Sequence, residues 1–153
     1  MHFLNPALDG ELMAELRDTG VLTPDLIDRI DAAMGRPESG TLNDFLLAGA
    51  SLIPEQPWIS WLVRRHGCHR FGRVRWQEEA AEWARAGLGN TGNLPFRRGP
   101  SGCVLVAVLR PDSLEETARD FPGTRLCWAA GSLTEIQRLH VAWRRAAACP
   151  AWS

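Results

Sequence analysis

The chain contains no lysine and no tyrosine. Without lysine there is no Schiff-base chemistry and no lysine general base. The phosphate loop G-x-x-x-x-G-K-(S/T) is excluded too, because the residue that reaches the β- and γ-phosphates does not exist. An autonomous P-loop ATPase is therefore ruled out. Long apolar runs are also missing, none approaching the ~18 residues of a membrane-spanning helix. The opening Met1-His2-Phe3-Leu4-Asn5-Pro6 lacks the basic and apolar regions of a secretory signal. These absences predict a cytoplasmic protein with no direct membrane insertion. No C-x-x-C pair occurs, and the scattered Cys68, Cys103, Cys127 and Cys149 fit free thiols better than a disulfide framework.

What is present is an ordinary globular composition: 153 residues, 45% apolar and 23% charged, enough to bury a core without staples. All 17 basic residues are arginine, and the net charge is −1. The charge is unevenly spread. Residues 9–57 hold ten acids against three arginines, a net of −7, whereas residues 64–98 hold eight arginines against three glutamates, a net of +5. That asymmetry points to internal complementarity or to an anionic partner for the middle third. Nucleic acid is not the expected partner, because the arginine run lacks an aromatic ladder spaced for base stacking.

Apolar periodicity organises the first 65 residues. Leu12 and Leu16 are i, i+4 partners, and Leu26, Ile27, Ile30 and Met34 recur at three and four, so two short amphipathic helices are predicted on either side of Gly20. Thr23-Pro24 supplies an N-cap and a proline at the first helical position. The pattern then repeats. Leu42, Phe45 and Leu46 form a third helix, and Ile53-Pro54 opens a fourth carrying Trp58, Ile59, Trp61, Leu62 and Val63. Two helix–turn–helix units in tandem imply that neither buries its apolar face alone.

The last third reads differently. Gly102–Leu109 is an apolar, valine-rich run suited to a buried strand, Arg125–Ala129 is a second strand, and Leu94–Arg97 precedes them as a third. Helices are predicted at Ser113–Asp120 and Leu133–Ala147, the latter opened by the capping-box pattern Ser132-x-x-Glu135. The fold class expected is α+β: an N-terminal helical bundle of two helix-turn-helix repeats (8–67), a connecting segment (68–93), and a small α/β subdomain with a short sheet and two helices (94–148). Within the connection, a short strand in 68–77 and a helix over 77–86 are compatible with the pattern, and Gly87–Asn93 is a flexible link.

Several residue groupings invite chemistry and do not carry it. His66-Gly67-Cys68-His69 lacks the second cluster that structural zinc needs, and neighbouring Cys68 and His69 on a strand would face opposite ways. Asp9, Glu11 and Glu15 are placed to complement a helix dipole. Gly87-Leu88-Gly89-Asn90-Thr91-Gly92 spells G-x-G-x-x-G without the preceding strand and following helix that the dinucleotide motif requires. Trp58 and Trp61 are assigned to the core or a subunit contact.

The order of elements and these residues resemble the N-terminal domain of type II secretion and type IV pilus assembly ATPases, the family that includes the MshEN cyclic-di-GMP-binding domain. The family repeat is R-L-G-x-x-L-x-x-x-G-x-x-x-x-x-x-L-x-x-A-L-x-x-Q, twice in tandem. Leu12, Leu16, Gly20, Ile27 and Ile30 fit the first copy; Leu42, Leu46, Trp58, Trp61 and Leu62 fit the second with one extra residue near Gly49-Ala50-Ser51. Leu94-Pro95-Phe96-Arg97-Arg98 is similar to the family's L-P-(L/F)-R-R strand. Val104–Asp112 is similar to its V-x-V-A-x-x-D-P turn, with Arg110 in place of the acid. The resemblance spans residues 11–145.

The departures fall on the positions that the resemblance assigns to ligand. The family's Arg, Gly and Gln are Glu11, Met13 and Met34 in the first copy and Thr41, Asn43 and Arg65 in the second. An anionic dinucleotide wants guanidinium forks and open backbone amides. Glu11 supplies the opposite charge, and Met13 obstructs the approach that glycine permits. The resemblance therefore implies a retained scaffold without its usual site and without the motor domain. The function expected is a non-catalytic docking module, with no cofactor, that binds a cytoplasmic protein component of a secretion or pilus machine at the inner face of the inner membrane. The alternative is a cyclic-di-GMP sensor in which Arg64, Arg65, Arg97 and Arg98 replace the lost arginines.

Overall fold

The computed structural model describes residues 10–35 and 41–149, so Asp9 lies outside the described residues. The class is α+β, with seven α-helices and one four-stranded sheet among the described residues. Two helix pairs come first: α1 (Glu11–Asp18) with α2 (Pro24–Met34), then α3 (Leu42–Ala48) with α4 (Glu55–His66). Local chemistry sets their ends. Thr23 Oγ1 accepts the Leu26 amide at 3.2 Å with Pro24 opening the helix, and Gly35 closes α2 in the left-handed conformation. Thr41 and Asp44 form a reciprocal capping box on α3. Leu12, Met13, Leu16, Ile27, Ile30, Phe45, Leu46, Trp58, Ile59 and Leu62 are all buried, so each pair hides one apolar face against the other.

The sheet has the order β1-β4-β3-β2, from β1 (His69–Arg70), β2 (Leu94–Arg98), β3 (Val104–Ala107) and β4 (Leu126–Ala130). β1 and β3 run parallel to β4, and β2 runs antiparallel to β3. Pro95 is tolerated in β2 because that strand lies at the sheet edge, and the register shifts beside it, between Pro95 and Arg97. Alternation along β3 divides its side chains between two clusters. Leu105 and Ala107 join the main core, while Val104 and Val106 meet Phe121 and the half-buried Trp83 and Trp128. Helix α5 (Ala80–Arg85) and helix α7 (Leu133–Ala148) pack together and against β2, α7 also reaches α3, and α6 (Leu114–Arg119) follows a 3-10 turn at Pro111–Ser113.

One apolar cluster runs from Leu12 in α1 through Trp58 and Phe96 to Leu139 in α7. Residues 68–93, expected as a connection, contribute an edge strand to the sheet and a helix to the packing. The Gly87–Asn93 stretch, expected as flexible, is pinned. Trp143 Nε1 donates to Leu88 O at 2.7 Å, Asn43 Nδ2 to Thr91 O at 3.2 Å, and His140 Nε2 to Gly92 O at 3.1 Å. Gly89 is required by space as well as by φ: a Cβ there (φ +108) would lie 2.8 Å from Leu94 and 2.9 Å from Trp143.

Two expected elements are shorter or different. The run Gly102–Leu109 forms a strand only over Val104–Ala107, because Asn93 Oδ1 takes the amides of Leu109 and Arg110 at 2.9 and 2.8 Å and replaces the next ladder bonds. The capping box on α7 is half made. Ser132 Oγ accepts the Glu135 amide at 3.2 Å, but the Glu135 carboxylate turns to the Val74 amide at 2.9 Å instead of to the cap backbone.

Candidate functional site

Helix α1 presents Glu15 to the last turns of α4. Its Oε1 accepts from Trp61 Nε1 at 2.8 Å and His66 Nε2 at 2.7 Å, and lies 3.3 Å from Arg65 Nε. The spacing explains the convergence: Trp61 and Arg65 are i, i+4 on α4, and His66 is one residue further at the helix end. Glu15 was expected to complement a helix dipole; its role is to join the two repeats. Beside it, Thr19, Val21, Pro57, Ser60, Trp61, Arg64 and Arg65 line a cavity of about 330 Å³. Of the four proposed arginines, Arg64 and Arg65 therefore do share a site, with an indole in its wall.

Arg97 and Arg98 are elsewhere. They sit on β2, at the opposite edge of the sheet from β1, which follows α4 directly; three inter-strand spacings amount to ~14 Å. Arg98 is also occupied. Its Nε donates to Glu79 Oε1 at 2.7 Å, Nη1 reaches Gly102 O at 3.4 Å, and the guanidinium lies 5.5 Å from the Trp83 ring centre. The four arginines thus form two separate pairs.

The repeat positions divide between packing and turns. Leu12, Leu16, Ile27, Leu46, Trp58 and Leu62 are buried, Leu42 is half-buried, and Gly20 is an exposed turn residue with φ +79. Met13, at a position the resemblance gives to ligand, is 0% exposed. Glu11 and Thr41 are exposed, and Met34 packs half-buried on the core. Asn43, the matching residue of the second copy, accepts from Arg110 Nη1 at 3.2 Å through Oδ1 while its amide group bonds to Thr91 O.

That bond belongs to a polar seam between the helices and the sheet. Asn93 is fully buried and uses its whole side chain: Oδ1 takes two amides, and Nδ2 donates to Arg110 O at 2.9 Å and Thr117 Oγ1 at 3.1 Å. Thr117, also fully buried, donates to Ser113 O at 2.8 Å and lies 2.9 Å from Thr91 Oγ1. Arg110 forks onto Asp112 at 2.9 and 2.8 Å. Burial raises the Asp112 carboxyl pKa, but the Arg110 hydrogen bond and charge, with a smaller contribution from His66, bring it below the ordinary value. No signal in the sequence singled out Asn93; only its place before a strand, in an otherwise glycine-rich link, hinted at a turn role.

No protein-family model matches the chain, and no curated protein matches it in sequence.

Among the described residues no three His, Cys, Asp or Glu side chains gather as a metal site. The His66–His69 group diverges at Gly67, which closes α4 with φ +68. His66 turns to Glu15, His69 is exposed, and Cys68 is buried, which pushes its thiol up to about 11. A thiol held neutral in this way is a poor nucleophile. His140, a buried imidazole, is driven down to about 4 by desolvation, against the raising effect of its bond to Gly92 O. It is a neutral donor to the backbone. Cys68 and His140 are thus buried groups held neutral.

Proposed function

We propose that the chain is a non-catalytic docking module of the kind found at the N-terminus of type II secretion and type IV pilus assembly ATPases. It binds a cytoplasmic protein component of such a machine and is recruited through it to the inner face of the inner membrane. The observation that carries the reading is the use made of the repeat's ligand positions. Met13 lies wholly in the core and Asn43 is spent on Arg110 and Thr91, so these positions hold the scaffold together. The order of elements supports it: two helix pairs followed by a small sheet whose edge strand is Leu94–Arg98. The surface of the helical half is rich in acids, with Glu11, Asp18, Asp25, Asp44 and Glu55 exposed.

The partner surface is accordingly basic. Binding of the purified chain to the cytoplasmic domains of a platform protein and a motor tests this by interferometry. Wild type binds one of them, and the combined Glu11→Arg, Asp18→Arg and Asp25→Arg variant binds at least about tenfold more weakly, a loss of ~1.4 kcal/mol. Equal binding by the charge-reversed variant, or binding to none of them, contradicts the proposal. A cyclic-di-GMP sensor differs in one readout. It would give calorimetric heat at about 100 μM ligand, enough to detect micromolar affinity.

A further inference from the structure

A groove of about 730 Å³ lies away from the tandem repeats, between the segment Gly72–Trp76 and the first turns of α7. Three arginines line it, Arg73 and Arg75 from the segment and Arg138 from α7, together with Trp76 and Glu135. The segment is held at both ends and in the middle. Phe71 N donates to Ala130 O at 3.0 Å, Gln77 N to Phe96 O at 3.1 Å, and Val74 N to Glu135 Oε2 at 2.9 Å. Val74 is buried between exposed Arg73 and Arg75, and both arginines border the groove. None of the three arginines makes an ion pair or side-chain hydrogen bond among the described residues. The single acid in the groove is already engaged, Glu135 Oε2 by the Val74 amide and Oε1 by the Ser132 hydroxyl at 3.3 Å. Trp76 is half-buried in the wall and also borders an adjoining hollow of about 370 Å³ that carries Arg85, Arg145 and Glu78.

We infer that this groove binds a nucleoside polyphosphate, with the phosphates on Arg73, Arg75 and Arg138 and the base against Trp76. Guanidinium forks match phosphate oxygens in pairs, and an indole face stacks any base. The volume falls within the ~300–1,000 Å³ of small-molecule sites. An inorganic polyphosphate would satisfy the arginines and leave the indole unused, whereas an acidic peptide would supply neither the density of charge nor the planar ring. The inference does not depend on the docking function, since the groove and the exposed acids of the helical half are different residues.

Calorimetry with ATP, GTP, inorganic tripolyphosphate and a hexaglutamate peptide tests it on the full chain at low and moderate salt. The two nucleotides bind more tightly than tripolyphosphate, and their affinity falls as salt rises. Arg75→Gln with Arg138→Gln weakens nucleotide binding at least about tenfold, one charge-assisted bond's worth. Both arginines are exposed, so this variant retains its fold, checked by an unchanged melting temperature. Trp76→Leu weakens the nucleotides but not tripolyphosphate. No heat at ~1 mM nucleotide, undiminished binding by the double arginine variant, tripolyphosphate equal to nucleotide, or preference for hexaglutamate each overturns the inference.

Discussion

The carboxylate of Glu15 accepts the indole N–H of Trp61 at 2.8 Å, a bond between the first helix of one repeat and the last helix of the next. His66 and Arg65 approach the same oxygen, so a single α1 side chain fixes the end of α4. Removing it leaves two part-buried donors unmatched. Glu15→Ala is expected to cost about 2 kcal/mol in urea unfolding and Glu15→Gln about half of that, because the amide oxygen still accepts. Equal stability of the Ala variant and wild type would show that the bond contributes nothing.

Met13 tests whether the repeat position belongs to the core. Met13→Ala should lose ~2–4 kcal/mol, the range of large-to-small substitution at a fully buried site. A ligand-facing residue would show a change within ~0.5 kcal/mol, the behaviour of an exposed position. Chemical denaturation with an unchanged m-value distinguishes the two.

Asn93 is the most heavily committed polar side chain in the molecule's seam. Asn93→Ala strands the Leu109 amide in the interior and removes the acceptor of the Arg110 amide, with an expected loss of ~2–4 kcal/mol in denaturant unfolding. Asn93→Asp keeps the acceptor and loses the two donated bonds, so it too is destabilising. Loss of protection at the Leu109 and Arg110 amides in hydrogen exchange locates the effect.

His140 predicts an acid limb of stability. Its pKa is about 4 when folded, against an ordinary histidine value of 6.5, so the unfolded chain binds the extra proton between those values. Unfolding free energy is therefore at its full value above about pH 6.5, falls as pH drops through that window, and levels off below about pH 4, by on the order of 3 kcal/mol for this group. His140→Gln, which still donates an N–H toward Gly92 O, should flatten that slope between pH 6.5 and 4. A slope identical to wild type would assign the acid sensitivity elsewhere.

The helices were legible because their signals are local: Thr23-Pro24 caps where such residues cap, and apolar spacing set the buried faces, whereas the Thr41–Asp44 capping box emerged only from the structure. The three main strands were legible for the same reason. The polar seam was not, since Asn43, Asn93, Arg110 and Thr117 lie up to 74 residues apart and meet only when the sheet closes on the helices. Gly87–Asn93 looked like a link because composition reports what a backbone can do, not which side chains from α3 and α7 will bond to it. Arg64 and Arg65 were recognisable as a pair by adjacency on one helix turn. The separation of Arg97 and Arg98 from them follows from strand order, which no periodicity encodes.

We propose that this scaffold docks a protein of a secretion or pilus machine through the exposed acids of its helical half. Co-purification from the native host, quantified by mass spectrometry for wild type against the Glu11→Arg, Asp18→Arg, Asp25→Arg variant, measures it directly. A secretion or pilus component enriched with wild type and depleted with the variant is the result predicted. Recovery of no such component, or equal recovery with both chains, would contradict it.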